Sequence, residues 1–170
     1  LRYAYKLNKD IELALTGRLD FLSGFLFPSI CDVIRNLSGI WKILYPEKYS
    51  RYFDPPQNYD PAVGGHYYSD ELRTLVRDMG QIAGRTITDA DLRASIAAYN
   101  DNRRALGELG SLRETEPWRV PAHEAYLVVR AGTVLPVGEH TLLLREYVAA
   151  ARAAKRQKRD QTRVVTVGSF

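Results

Sequence analysis

FPSICDVIRN, residues 27–36, lies between an apolar run and a segment with helical spacing, and it holds the only cysteine of the chain, Cys31. Ahead of it, DFLSGFLFP (20–28) is nearly continuous apolar sequence. That run is too short to cross a bilayer and suits a strand buried on both faces. Pro28 ends the strand. Ser29 then stands three residues before Asp32, a variant of the Ser-x-x-acid capping box. Apolar residues follow at Val33, Ile34, Leu37, Ile40, Trp41, Leu44 and Tyr45 with the period of a helix. Strand, cap and helix in that order begin a β-α-β unit. Cys31 falls at the carboxyl edge of its strand, where ligands gather in open α/β sheets.

Upstream, Ile11, Leu13, Ala14 and Leu15 predict a short helix ending at Thr16-Gly17, where glycine takes the left-handed capping conformation. Downstream, KYSRYFDPP predicts a second strand over Tyr49 to Phe53, ended by Asp54 and two prolines. DPPQNYDPAVGGHYY (54–68) reads as a loop. Ser69 caps a helix carrying Leu72, Leu75, Val76, Met79 and Ile82. Thr88 with Asp91 opens another, on which Leu92, Ile96, Tyr99, Leu106 and Leu109 make a long amphipathic stripe. PWRVPAHEAYLVVRAG and GEHTLLLREYVAAARAAKRQKRD predict two more helices, and RVVTVGSF a closing strand. The fold class is therefore α/β, a parallel sheet with a helical insertion. Residues 1–60 form the first β-α-β part of a lobe, 61–160 a helical block, and 161–170 a strand entering a further lobe. A start without Met and a stop directly after a β-branched run read as an excerpt of a longer chain.

With 170 residues, 45% apolar and 26% charged, the composition is that of an ordinary globular protein able to bury a core. A net charge of +4 is too mild to argue for nucleic acid. One cysteine forms no internal disulfide, and neither a signal peptide nor an apolar span is present. The expected compartment is the reducing cytoplasm, away from membranes.

Two residues past the expected cap, Cys31 would feel the positive end of a helix dipole, which favours a thiolate acting as nucleophile or metal ligand. The competing reading is a buried structural thiol. A nucleophile needs a base, and nothing in the spacing forces His66, His123 or His140 toward Cys31. One cysteine with scattered histidines has no ligand spacing that supports zinc. An iron–sulfur cluster takes several thiolates, of which this chain supplies one. Gly168 and Ser169 follow the last strand, where their backbone N–H groups would face a cofactor or anion, or form a simple turn. Gly64 and Gly65 lack any phosphate-binding pattern and mark a flexible loop. Arg152, Lys155, Arg156, Lys158 and Arg159 crowd the end of a helix, either as a solvated face or as a docking surface for an acidic partner or a phosphorylated ligand such as coenzyme A. Tyr45, Tyr49, Tyr52 and Tyr59 either edge an aromatic pocket or pack a sheet edge.

FLFPSICDVIRNLSGIWK (25–42), KYSRYFDPPQNY (48–59), GGHYYSDEL (64–72), ITDADLRASIAAYNDNRR (87–104) and VVTVGSF (164–170), taken in order, resemble the catalytic subunits of ATP-dependent benzoyl-CoA reductase. These form a wider family with the 2-hydroxyacyl-CoA dehydratases. The resemblance implies Rossmann-like α/β lobes with helical insertions, in a heterodimer of two homologous catalytic subunits. It implies a [4Fe-4S] cluster held by cysteines on separate segments, one of them the cysteine of a P-x-x-C-D motif, here Pro28-Ser29-Ile30-Cys31-Asp32. Cys31 is then a metal ligand, with Ser29, Ile30 and Asp32 as its surroundings. In close relatives another cysteine follows the strand end Gly168-Ser169-Phe170, and relatives often carry a thiol where Ala4 stands. ATP is expected to be hydrolysed by separate activator subunits, fed by ferredoxin, that pass single electrons toward an aryl-CoA substrate. A dehydratase subunit is the alternative within the family, and a non-catalytic partner subunit the alternative outside catalysis.

Overall fold

The structure, a computed structural model, describes residues 2–160 and 162–164, with side chains from residue 9 onward. Its packing falls into two compact units, Leu1–Ile87 and Thr88–Phe170. In the first, α1 (Arg2–Leu15), β1 (Gly24–Pro28), α2 (Asp32–Leu44), β2 (Tyr49–Phe53) and α3 (His66–Ala83) follow one another. The strands pair in parallel, from Gly24 opposite Tyr49 to Pro28 opposite Phe53. Parallel neighbours need a crossover, which α2 provides. The chain is thus mixed α/β with a parallel pair, as the sequence predicts, and β2 has the predicted bounds.

Alternation along β1 turns Phe25 and Phe27 toward α2. Trp41, 2% exposed, packs against both, its ring centroid 3.9 Å from that of Phe25 and 6.2 Å from that of Phe27. Tyr45 adds a tilted ring contact to the indole at 4.9 Å. Ala14 and Leu37 complete this core, so α1 and α2 both pack into it. Gly17 closes α1 at φ 74°, the left-handed conformation expected of it.

β1 departs from expectation in two ways. It begins only at Gly24, where a Cβ would stand 2.6 Å from Tyr49 Cβ and its carbonyl oxygen. Nor is it buried on both faces: Phe27 is buried, but Leu26 is 45% exposed. Among the described residues α2 covers one face, while α3 lies toward the other, where Phe53 meets Tyr68 at 6.0 Å and Met79 and Ile82 line an open cleft with Gly24 and Leu26.

The loop after β2 is also shorter than expected. Asp60 accepts a hydrogen bond from the Ala62 N–H at 2.7 Å, and Pro61–Gly65 makes a wide helical turn running directly into α3. Asp followed by Pro is itself a helix-start signal, hidden here among loop residues. Gly64 is required, since its backbone passes against the Asn58 carbonyl with no room for a Cβ. Ser69 therefore caps nothing; it lies one turn inside the helix, its hydroxyl donating to the Gly65 carbonyl at 2.8 Å.

The second unit is helical: α4 (Asp89–Thr115), α5 (Ala122–Ala131) and α6 (Val137–Ala153), with a 3₁₀ turn at Pro117–Arg119. Thr88 and Asp91 form the reciprocal capping box predicted for α4. Leu109, Leu112, Val120, Leu144 and Val148 form the core. The predicted α4 stripe buries only its C-terminal part; Leu92, Ile96 and Tyr99 are 40%, 59% and 52% exposed. A polar pin joins α4 to α6: Asn102 Nδ2 contacts His140 Nδ1 at 3.0 Å and donates to Thr141 Oγ1 at 2.9 Å. His140 Nε2 lies 3.0 Å from the Val128 carbonyl, which can only accept, so Nε2 carries the proton and Nδ1 accepts from Asn102.

The basic run corrects another expectation. α6 ends at Ala153, so Lys155, Arg156, Lys158 and Arg159 lie beyond the helix and not against its dipole. The last carbonyls of α6 are met instead by Arg119, whose Nη1 donates to the Arg152 oxygen at 2.7 Å. Arg156 turns back to clasp Glu124 at 2.8 and 2.9 Å, and Lys158 sits 5.3 Å from the Trp118 ring. Arg163 and Val164 are not in a strand, and the remainder of the predicted closing strand lies outside the described residues.

Trp41→Ala is expected to lower unfolding stability by about 3–5 kcal/mol, as for other large aromatic truncations in cores. Ile43→Ala, at a position 80% exposed on the same helix, should stay within about 0.5 kcal/mol of the parent. Urea titrations of the full-length protein followed by far-ultraviolet circular dichroism, which does not depend on the tryptophan, measure both.

Candidate functional site

Ser29, Ile30 and Cys31 carry the chain from the carboxyl end of β1 into α2. The Ser29 N–H donates to the Phe53 carbonyl at 2.8 Å, extending the parallel pairing beyond Pro28. Ser29 is thereby held in the sheet and is not the cap. The capping position belongs to Cys31, in extended conformation at φ −167° and ψ 165°, with no hydrogen bond from its side chain. Its thiol is exposed, not walled in by apolar side chains. Ile30 beside it is 73% exposed. Asp32 is not a cap partner either; it opens the first turn of α2 and pairs with Arg35 at 3.0 Å in a solvated contact.

The first turn of any α-helix leaves backbone N–H groups without helical partners and carries partial positive charge. Here no side chain of the capping residue claims them. The arrangement presents one sulfur, on fixed backbone, at the mouth of a parallel strand pair. Among the described residues no three His, Cys, Asp or Glu side chains converge as a metal-holding group. His140 is buried in the polar pin of the second unit, and His123 is exposed beside Glu124. Gly168 and Ser169 lie outside the described residues. The donor set therefore fits one corner of a [4Fe-4S] cluster, an accessible cysteine sulfur beside first-turn N–H donors, with further ligands required from elsewhere.

Of the four tyrosines, Tyr49 lines an apolar cleft of about 280 Å³ together with Leu26, Met79 and Ile82. Tyr45 covers Trp41, Tyr52 packs against the core, and Tyr59 is 91% exposed. Tyr49 belongs to a cluster that no sequence pattern reveals. Its hydroxyl donates to Asp78 at 2.8 Å, and Arg51, two residues on, bridges Asp78 at 3.2 Å and Glu71 at 2.9 Å. Arg51 and both its carboxylate partners are only about a fifth exposed. Burial pushes the Tyr49 phenol up to about 12, helped by the bond to Asp78 and by its negative charge. Glu71 holds the Arg51 guanidinium even more firmly charged than usual, chiefly through their hydrogen bond. In the second unit, Arg156 holds the Glu124 carboxyl below its ordinary range, and burial pushes Tyr147 up to about 12. Partners 20 or more residues apart in the chain leave no local signal of either cluster.

A mixed α/β unit that delivers a cysteine from a strand edge to a helix start is the arrangement expected from the P-x-x-C-D motif. The sequence matches the family described as 2-hydroxyglutaryl-CoA dehydratase, D-component, over residues 5–170, and the chain belongs to that family. It is 56% identical over 163 residues, 96% of its length, to a benzoyl-CoA reductase subunit of Thauera aromatica. Over 162 residues, 95% of its length, it is 30% identical to the β subunit of (R)-2-hydroxyglutaryl-CoA dehydratase of Acidaminococcus fermentans. The β subunit of lactoyl-CoA dehydratase of Anaerotignum propionicum is 29% identical over the same number of residues. The chain spans 42–43% of the length of these relatives. The resemblance read from the motifs is borne out. Among the described residues no helix is long and apolar enough to cross a membrane.

Because the folded state holds the Tyr49 proton more tightly than the unfolded chain, its contribution to stability is complete below pH ~10, the unperturbed phenol value. It should then be lost as the pH rises toward 12. A difference titration of tyrosinate absorbance against Tyr49→Phe should place this group last among the observable phenols of the unit. Asp78→Asn should lower its pKa without restoring the ordinary value, since burial is the larger cause. A Tyr49 that titrates normally in the parent protein would contradict the buried Tyr49–Asp78 bond.

Proposed function

We propose that this chain is part of a subunit of an ATP-dependent, iron–sulfur benzoyl-CoA reductase, which reduces the aromatic ring of an aryl-CoA thioester by low-potential single-electron transfer. The observation that carries this reading is the gap in similarity: 56% identity to a reductase subunit against 29% and 30% to dehydratase subunits across nearly the same span. The proposed partners are a homologous catalytic subunit, ATP-hydrolysing activator subunits and ferredoxin as upstream donor. ATP is used by the activator and not by this chain, in the cytoplasm.

In this reading Cys31 is one ligand of a [4Fe-4S] cluster. Such a cluster, when bound, supplies one-electron chemistry whose potential depends on hydrogen bonds to its sulfurs and on solvent exposure. The chain's own contribution is positional and electrostatic. Ser29 and Phe53 fix the backbone ahead of the sulfur, and Trp41 fixes the helix behind it. First-turn N–H groups of α2 offer donors to negative charge there. Asp32 would oppose that charge, and its partner Arg35 offsets it.

Two measurements on the full-length complex test this. Cys31→Ala should release the iron of this subunit while circular dichroism and subunit assembly stay native, with Cys31→Ser giving partial retention at most. An unchanged iron count would refute the ligand assignment, and unchanged turnover would favour a scaffolding subunit. Electron stoichiometry separates the two chemistries: a reductase consumes reductant in proportion to product, whereas a dehydratase needs only a priming amount.

A further inference from the structure

At the far end of α3 the chain folds back on itself. Gly84 takes the left-handed conformation at φ 64°, and the Arg85 N–H donates to the Gly80 carbonyl at 3.0 Å. A Cβ on Gly80 would come within 2.9 Å of the Arg85 carbonyl, so the returning segment lies directly against the helix. Between the last turns of α3 and residues Arg85 to Ile87 opens a cleft of about 580 Å³.

The chemistry of its walls is one-sided. Arg73 and Arg77 stand one helical turn apart on one face, and Arg85 contributes from the returning segment. Gln81 and Thr86 add neutral polar groups, Val76 and Ile87 an apolar wall, and among the described residues no carboxylate lines the cleft. Arg73 does pair with Asp70 at 2.6 Å, but that contact is about three-quarters exposed and leaves most of the guanidinium's donors open. Arg77 bonds to the Thr74 hydroxyl at 3.2 Å. Like charges one turn apart repel on a helix, and a bound anion would relieve that repulsion. Guanidinium groups match phosphate oxygens in bidentate geometry, better than a lysine point charge does. An apolar wall beside them suits a base attached to those phosphates.

We infer that this cleft is an anion site for the phosphate groups of a coenzyme A thioester, with Arg77 as the principal ligand and Val76 and Ile87 against the adenine. The inference deepens the proposed function and rests on its CoA-thioester reading. Asp78 bonds to Tyr49 at the start of β2, so the cleft lies toward the amino edge of the strands. Cys31 lies at the opposite, carboxyl edge, three residues past the end of β1. Binding of the phosphates and ligation at Cys31 are therefore separate tasks of the same unit.

Calorimetric titration of the full-length complex with coenzyme A and with 3′-dephospho-coenzyme A tests the site. Arg77→Glu should weaken coenzyme A by at least about ten-fold, the scale of a lost charge-assisted contact. Arg77→Lys should fall between, and Cys31→Ala should leave the affinity unchanged. A larger effect on coenzyme A than on the dephospho form assigns the cleft to the 3′-phosphate; an equal effect assigns it to the diphosphate. Undiminished affinity in a folded Arg77→Glu protein overturns the site and leaves the proposed function standing. Failure of the parent complex to bind coenzyme A overturns both. Retention of iron in Cys31→Ala, together with weakened binding in Arg77→Glu, would remove the cluster assignment alone.

Discussion

The contact on which the first unit depends is that of the Trp41 indole with the two phenylalanines of β1. Only Ser29, Ile30 and Cys31 connect that strand to α2, so the helix has little freedom to choose its direction once it leaves the sheet. Burying the indole against Phe25 and Phe27 removes what freedom is left. The direction in which the Cys31 thiol emerges follows from packing roughly two and a half turns further along the helix. Nothing in the immediate neighbourhood of the sulfur needs to hold it.

On the opposite face the same sheet is tied down by charge. Arg51 between Glu71 and Asp78 joins β2 to α3 with groups that are mostly shielded from water. Pairs of this kind gain little net stability over apolar packing, yet lose heavily if one partner is removed. What they add is selectivity of placement: only one register of α3 against β2 satisfies both carboxylates and the Tyr49 hydroxyl. The second unit uses the same logic, with Asn102 and His140 fixing α4 against α6 inside an otherwise apolar core. Gly132 belongs to this pin, since a Cβ there would stand 2.5 Å from the imidazole.

Local signals are legible wherever one short motif is enough. Tyr49 to Phe53 is flanked by turn formers and a double proline, and the strand has those bounds; the Thr88–Asp91 box and Gly17 read in the same way. The capping pattern misplaces Ser29 because it considers spacing alone, while the sheet still holds that residue through Phe53. Cys31 is then the last extended residue and becomes the cap. Asp60-Pro61 is hidden because proline and glycine around it read as loop, although the pair itself starts a helix. The α4 stripe is right as a pattern and wrong as a core, since periodicity gives a face and not what covers it. Position is the legible part of the candidate site. The Arg51 cluster and the arginine cleft join residues by folding alone, beyond the reach of any local pattern.

A lone cysteine sets a limit on what this chain can do unaided. In the proposed reading one cysteine holds a metal cluster only when other segments bring the remaining ligands to the same point, so the geometry around Cys31 would have to admit docking from outside the unit. The observed arrangement suits that requirement: the sulfur is exposed, its backbone is extended, and the order that fixes it lies behind it in the sheet and helix. A site preorganised by contacts on the sulfur itself would have to break them to admit a cluster. Here the rigidity comes from the aromatic core, and the approach to the thiol stays open.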